Sequence, residues 1–126
     1  MTEQIKAAIE RADDCLTDCE VLLKEERYIA VVNRSYYAVF YAMTALAIKQ
    51  EFETSKHQQL LGWFNKTFVK TGLVESEIGK IAHMTYERRL SGDYDLMSVC
   101  TKEEAVEMHL SAKRFVNAVK KSHIED

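Results

Sequence analysis

Asn33-Arg34-Ser35-Tyr36-Tyr37-Ala38-Val39-Phe40-Tyr41 lies inside a longer run, Tyr28–Lys49, that contains neither Gly nor Pro. Apart from Asn33 and Arg34 the run stays apolar or small as far as Lys49. A helix on the surface of a small soluble protein carries one apolar stripe and one charged face. This one is apolar nearly all round, with Val31, Tyr37, Phe40, Leu46 and Ile48 spread over every direction. It must therefore be enclosed by other helices. Arg34 within it is either buried and paired, or faces a cleft or a subunit interface.

The rest of the chain supplies the enclosing helices. Ile5, Ile9, Ala12, Leu16, Cys19 and Leu23 recur at helical steps, and predict a first helix over 2–24. Lys24-Glu25-Glu26-Arg27 is a charged turn before the central helix. Ser55 with Gln58 has capping-box spacing and places a third helix at about 56–70, with Leu60, Leu61, Phe64 and Phe68 inward and Trp63 alongside. Gly72 is its stop. A fourth helix fits 75–90, ending at Ser91-Gly92. Thr101 with Glu104 forms a second capping box, opening a last helix through Ala105, Met108, Ala112, Phe115, Val116 and Val119. The charged tail from about residue 120 is expected to fray. The whole reads as one all-α domain, 1–126, an up-and-down bundle of four to five helices.

Composition narrows the class. With 126 residues, no Pro and only four Gly, long helices with short turns are favoured over a β-rich fold. The net charge of −3 argues against a protein that coats nucleic acid through general basicity, but allows a small local cluster of arginines. No apolar run approaches the roughly 20 residues needed to span a bilayer, and no signal-peptide pattern opens the chain. Cys15, Cys19 and Cys100 have no scaffold spacing and read as reduced thiols, which points to the cytoplasm. Cys15 and Cys19, one turn apart, offer half a metal site with no partner pair, so no metal and no cofactor is expected.

Arg34, Tyr37 and Tyr41 share one face of the central helix. A guanidinium fixed on a packed helix suits phosphate, because its planar fork donates two parallel hydrogen bonds and keeps its charge. The aromatic neighbours then hold the guanidinium or stack on a base. The alternative is a structural arginine bonded to a carboxylate, with the tyrosines as core. Lys56 and His57 stand together at the start of the third helix, where a phosphate would be welcome; an ordinary, partly exposed His is the alternative. His83 and Glu87, followed by Arg88 and Arg89, read as a solvated face, and His109 and His123 as incidental. Asp93-Tyr94-Asp95 either sets carboxylates against Arg34 or Arg89, or is a polar loop anchored by Tyr94.

The run Asn33–Ala42 resembles the second-helix signature of the HEPN domains, small helical proteins of bacteria and archaea. The likeness continues at Ser55-Lys56-His57, at Phe68-Val69-Lys70-Thr71-Gly72-Leu73, and at Arg89 followed by Gly92-Asp93-Tyr94-Asp95. It covers nearly the whole chain in the right order. The resemblance implies a helical bundle that commonly forms a homodimer. Many members are toxin ribonucleases in which an Arg is followed, after four to six residues, by a His, and two copies of that motif meet at the dimer interface. Others are encoded beside a minimal nucleotidyltransferase that serves as antitoxin.

Matched residue by residue, Arg34 takes the place of the motif arginine, while Tyr41 stands where the nucleases carry His and Ser35 where they often carry Asn, Asp or His. The tyrosine that is adenylylated in some pairs corresponds here to Met43, so that feature does not transfer. An imidazole near pKa ~6.5 exchanges protons at neutral pH, whereas a phenol near ~10 stays protonated. The expectation is therefore an RNA- or nucleotide-binding module, weakly catalytic or not at all. It would partner a minimal nucleotidyltransferase in a toxin–antitoxin-like system, with no membrane partner. The binding residues are Arg34, Ser35, Tyr37, Tyr41, Lys56, His57, Arg89 and Asp93, with Arg34 and Tyr41 as the catalytic pair if there is one. The alternative is a ribonuclease toxin with its Arg34-centred site at the dimer interface.

Overall fold

The computed structural model describes residues 2–124, apart from the side chain of Tyr94; the expected anchoring of Tyr94 and the last two residues of the tail lie outside that description. Five α-helices follow one another: α1 Glu3–Lys24, α2 Tyr28–Lys49, α3 His57–Phe64, α4 Ser76–Tyr94 and α5 Lys102–Val119. Among the described residues there is no strand. The central run lies where its composition requires. α2 packs on all four other helices, and Val31, Val32, Tyr36, Val39, Met43 and Leu46 are each at most 2% exposed. Ala38, Ala42 and Ala45 on α2, Ala12 on α1 and Ala112 on α5 are fully buried. Small side chains at such positions let helix backbones approach closely, so α2 is buried on its inner side without a wide core, while Tyr37, Phe40, Tyr41 and Ile48 stay partly exposed.

The helix ends show the local chemistry at work. Thr2 Oγ1 accepts the amide of Ile5 at 3.2 Å, and Thr101 Oγ1 accepts that of Glu104 at 3.1 Å, each satisfying a donor that the first turn leaves free. α1 and α2 end alike. Arg27 N–H reaches Leu22 O and Glu26 N–H reaches Leu23 O; Phe52 N–H reaches Ala47 O and Glu51 N–H reaches Ile48 O. These are paired end-closing bonds around a residue in left-handed backbone. That residue is Glu26 at φ 57° and Glu51 at φ 58°, where glycine is the usual occupant. Gly72, at φ 81°, is the stop expected after the third helix.

Four expectations are corrected. α3 is shorter than 56–70, because after Phe64 the chain widens into a π-helical turn, Asn65–Val69. Ser55 does not cap it: the N-cap is Lys56, with no side-chain cap bond, and Thr54 instead holds the turn before it, accepting from Lys56 N–H at 3.1 Å and donating to Gln59 Oε1 at 2.7 Å. α4 runs through Ser91-Gly92 to Tyr94, extended by the contact between Arg89 and Asp93 one turn apart. The tail from Lys120 does not fray before Ile124. It forms a second π turn in which Ile124 is buried, Lys49 Nζ donates to His123 O at 2.7 Å, and His123 Nε2 lies 3.0 Å from Leu73 O.

Gly79, midway along α4, has a packing reason. A Cβ there would lie 2.6 Å from Val69 Cγ2. α4 and the π turn meet at that point, beside a cleft of about 1210 Å³ lined by Leu61, Phe64, Val69, Met84 and Tyr86.

Candidate functional site

The site is built on Tyr37. Its ring lies under two guanidinium groups: Arg34 Cζ, from the same helix, is 5.1 Å from the ring centre, and Arg89 Cζ, from α4, is 5.3 Å away. Arg89 also stands 5.4 Å over the ring of Tyr36. The electron-rich faces of the two tyrosines thus hold a pair of like charges near one another. Each cation has one carboxylate. Arg34 Nη1 is 3.9 Å from Asp18 of α1, with the two side chains 34% and 53% exposed. A pair that long and that wet contributes little and is readily exchanged for another anion. Arg89 Nε is 3.0 Å from Asp93 Oδ2. Although the atoms are close, that buried Nε has no aligned hydrogen-bond acceptor among the described residues, so its N–H is left over.

His57, the first residue of α3, enters from the other side. Its Nδ1 is 2.7 Å from the Tyr36 hydroxyl. Its ring stacks on Phe40 at 4.3 Å between centres and meets Tyr37 edge-on at 6.0 Å. Burial, and then the nearby Arg89 charge, hold the imidazole below its ordinary pKa of 6.5, so it is neutral at pH 7. Burial pushes the Tyr36 phenol well above its usual range, with Arg89 opposing; it remains an O–H at any physiological pH.

Of the residues expected at the site, Arg34, Tyr37, His57, Arg89 and Asp93 are brought together. Lys56 is exposed immediately before His57. Tyr41 lies one turn farther along α2, where Arg11 of α1 donates to its hydroxyl at 3.5 Å and sits 5.7 Å over its ring. Ser35 is a correction. It points away from this face and is fully buried, with Oγ 3.4 Å from Cys19 Sγ between α1 and α2. A ligand cannot reach it. Cys19 is accordingly a packed thiol, pushed up to about 11 by burial, and among the described residues no group of three or more His, Cys, Asp or Glu is placed to hold a metal.

Arg88 and Arg89 do not share the solvated face expected of them. His83 and Glu87 do, paired at 3.0 Å in the open. Arg88 turns to the α4–α5 connection, bonding Glu104, Ser98 Oγ and Val99 O. Arg89, about 100° further round the helix, turns to the tyrosines. His109 is not incidental either: it is buried on α5 at 7% exposure, with Nε2 unpartnered. Tyr36 and Phe40 were missed as site residues. Their i, i+4 spacing puts them on one face, but only the placement of α3 shows that His57 completes it.

Comparison with known proteins agrees with this architecture. A family model described as HEPN domain matches residues 5–122. A UPF0332 protein of Thermotoga maritima is 41% identical over 116 residues, covering 92% of this chain and 87% of the relative. A protein of Methanocaldococcus jannaschii named as a candidate toxin is 32% identical, over 95% of this chain and 89% of its own length. A second one from that organism, named likewise, is 33% identical over 94% and 80%.

Proposed function

This chain belongs to the HEPN domain family, and from that premise we propose that it is a toxin-like module that binds RNA or a nucleotide through the Arg34–Tyr37–Arg89 face. One observation carries the reading. Two arginines from different helices converge on one tyrosine ring, each balanced by a carboxylate at the surface. A phosphate can displace Asp18 from Arg34 and pair with the neighbouring Arg89 guanidinium, gaining charge-assisted hydrogen bonds. The exposed part of the Tyr37 ring offers a base a stacking surface. Two similar proteins named as candidate toxins support a toxin-like setting. In that setting we place a minimal nucleotidyltransferase as partner and a homodimer as the working form, the Arg34 faces lying near the twofold axis. Isologous contact would double the cationic patch without requiring a basic protein.

The test is fluorescence anisotropy of a labelled single-stranded RNA with wild type, Arg34→Ala and Arg89→Ala. Each substitution should weaken binding about tenfold, the worth of one hydrogen bond to a charged group. Each should also flatten the salt dependence by about 0.7 per lost phosphate contact. Affinity equal to wild type in both variants would remove the site. For the partner, a small nucleotidyltransferase encoded next to this gene should co-purify with the protein.

A second reading is cleavage of the bound RNA, in which Tyr41, accepting from Arg11 at 3.5 Å and keeping its own O–H free, would serve as a proton donor and not as a base.

A further inference from the structure

Resting on the binding face just described, we propose that its ligand is a single strand and not a free nucleotide. Arg11 and Tyr41 form a second subsite, so that α2 holds two consecutive nucleotides of single-stranded RNA, one on Tyr37 and one on Tyr41.

Tyr37 and Tyr41 are one turn apart on α2, with ring centres separated by 6.2 Å. Both are half-buried, and each has a guanidinium of its own. Arg34 stands 5.1 Å from the Tyr37 ring, and Arg11 of α1 stands 5.7 Å from the Tyr41 ring. The face therefore repeats one unit, a partly exposed ring with a cation against it. A nucleic acid repeats the matching unit, a base with a phosphate. Bases stack on aromatic rings and on guanidinium planes alike, provided their own faces are free. A duplex covers those faces, and a mononucleotide fills one unit only.

The two cations are too far apart to share one phosphate. Arg11 meets Tyr41 at one end of the face, and Asp18 meets Arg34 at the other, as antiparallel helices require. Residues 34 and 41 are seven apart, as are 11 and 18, which is about 10 Å along either helix. A single phosphate does not bridge that span, whereas a strand carries a second one along.

Arg11 is also open to an anion. Arg34 and Arg89 are paired with Asp18 and Asp93. Arg11 forms no ion pair among the described residues, although Asp14 lies one turn away on α1. Its hydrogen bond to the Tyr41 hydroxyl is exposed and 3.5 Å long, and leaves most of its N–H donors unused. Asp14, Asp18 and Asp93 match the three arginines in number, so the empty face is close to neutral. Affinity must then come from stacking as much as from charge, and stacking accumulates only along a strand.

The experiment is isothermal titration of the protein with adenosine 5′-monophosphate and with the 5′-phosphorylated adenylate dinucleotide. Wild type, Arg11→Ala, Tyr41→Ala and Arg34→Ala are compared. Wild type should bind the dinucleotide about tenfold tighter or more, the worth of one added stacked base. Arg11→Ala and Tyr41→Ala should remove that advantage and still bind the mononucleotide on Tyr37. Arg34→Ala should weaken both ligands. Arg11 is exposed on α1, so its variant keeps the fold, which circular dichroism checks. Equal wild-type affinity for the two ligands would overturn the second subsite. So would a dinucleotide advantage that survives in Arg11→Ala and Tyr41→Ala. In both cases a loss in Arg34→Ala would leave the binding face standing. Wild type that binds neither ligand, or binding indifferent to Arg34→Ala, would remove the face and the subsite together.

Discussion

Arg88 grips Glu104 across the α4–α5 connection with two bonds, Nε to Oε2 at 2.8 Å and Nη2 to Oε1 at 3.2 Å. Its remaining donors hold Ser98 Oγ and Val99 O, each at 3.0 Å. One guanidinium thereby fixes the Glu104 carboxylate, in the first turn of α5, and the loop leading to it. The arginine side chain is 15% exposed, so these bonds are only partly in competition with water.

Arg88→Ala should cost about 2 kcal/mol in urea unfolding, the range for removing a charged, partly buried hydrogen-bonding group. The pH dependence has a definite sign. The Arg88 hydrogen bond holds the Glu104 carboxyl below its ordinary 4.5, so the stabilisation is complete above that value and is lost as pH falls through the folded-state value. The melting difference between wild type and Glu104→Gln should therefore shrink once pH drops below 4.5. A difference that stays constant through acid would exclude this linkage.

Glycine should be the better residue at two positions, for different reasons. Glu51 closes α2 at φ 58°, so Glu51→Gly relieves a left-handed side chain and should raise stability by about 1 kcal/mol. Gly79→Ala improves helix propensity by a similar amount but drives a methyl to 2.6 Å from Val69 Cγ2. The valine is stiff at its branch point, so the variant should be less stable than wild type. Thermal melts of the two variants beside wild type check both signs.

His109 should be a liability in acid. Burial keeps its pKa below 6.5, with Glu20 opposing and Lys113 adding to the effect. The unfolded chain therefore takes up the proton first, and stability falls as pH drops below 6.5. His57, faced by Arg89, Tyr36 and Tyr37, is depressed likewise and adds to the same slope. His109→Leu removes an unpartnered buried nitrogen. It should be at least as stable as wild type at neutral pH and lose less between neutrality and about pH 5. A steeper acid loss in the variant would contradict this.

Light scattering at micromolar concentration should give the mass of two 14.5 kDa chains. Arg34→Glu should shift that mass towards one chain if the Arg34 faces lie at the axis. A wild-type monomer would overturn the pairing, and a dimer indifferent to the substitution would place it elsewhere.

The central helix was legible because its signal is local: a run with no polar face from Tyr28 to Lys49 must be covered, and most of it is, though Tyr37, Phe40, Tyr41 and Ile48 are left partly exposed. Thr101 and Gly72 were legible for the same reason, the one capping an amide three residues on and the other turning the chain at its own φ. The end of α4 was not, because Ser91-Gly92 is a fair stop that the Arg89–Asp93 contact overrides. The docked tail depends on Lys49 and Leu73, distant in sequence. At the site, Arg34 and Tyr37 came from helical spacing alone. Ser35 was misplaced because a family position was carried over without asking which way the helix turns it. The partnership of Tyr36 with His57 spans 21 residues and exists only once α3 is set against α2.

The segment 50–56 joins α2 to α3 and so sets where His57 stands, and Phe52 within it lies flat on Trp63, ring centres 4.9 Å apart at 8°. Trp63 is the sole tryptophan of the chain. Its emission is therefore a built-in optical gauge of that joint. Loosening of the segment exposes the indole and moves its fluorescence to longer wavelength, while the helical signal of the bundle stays constant.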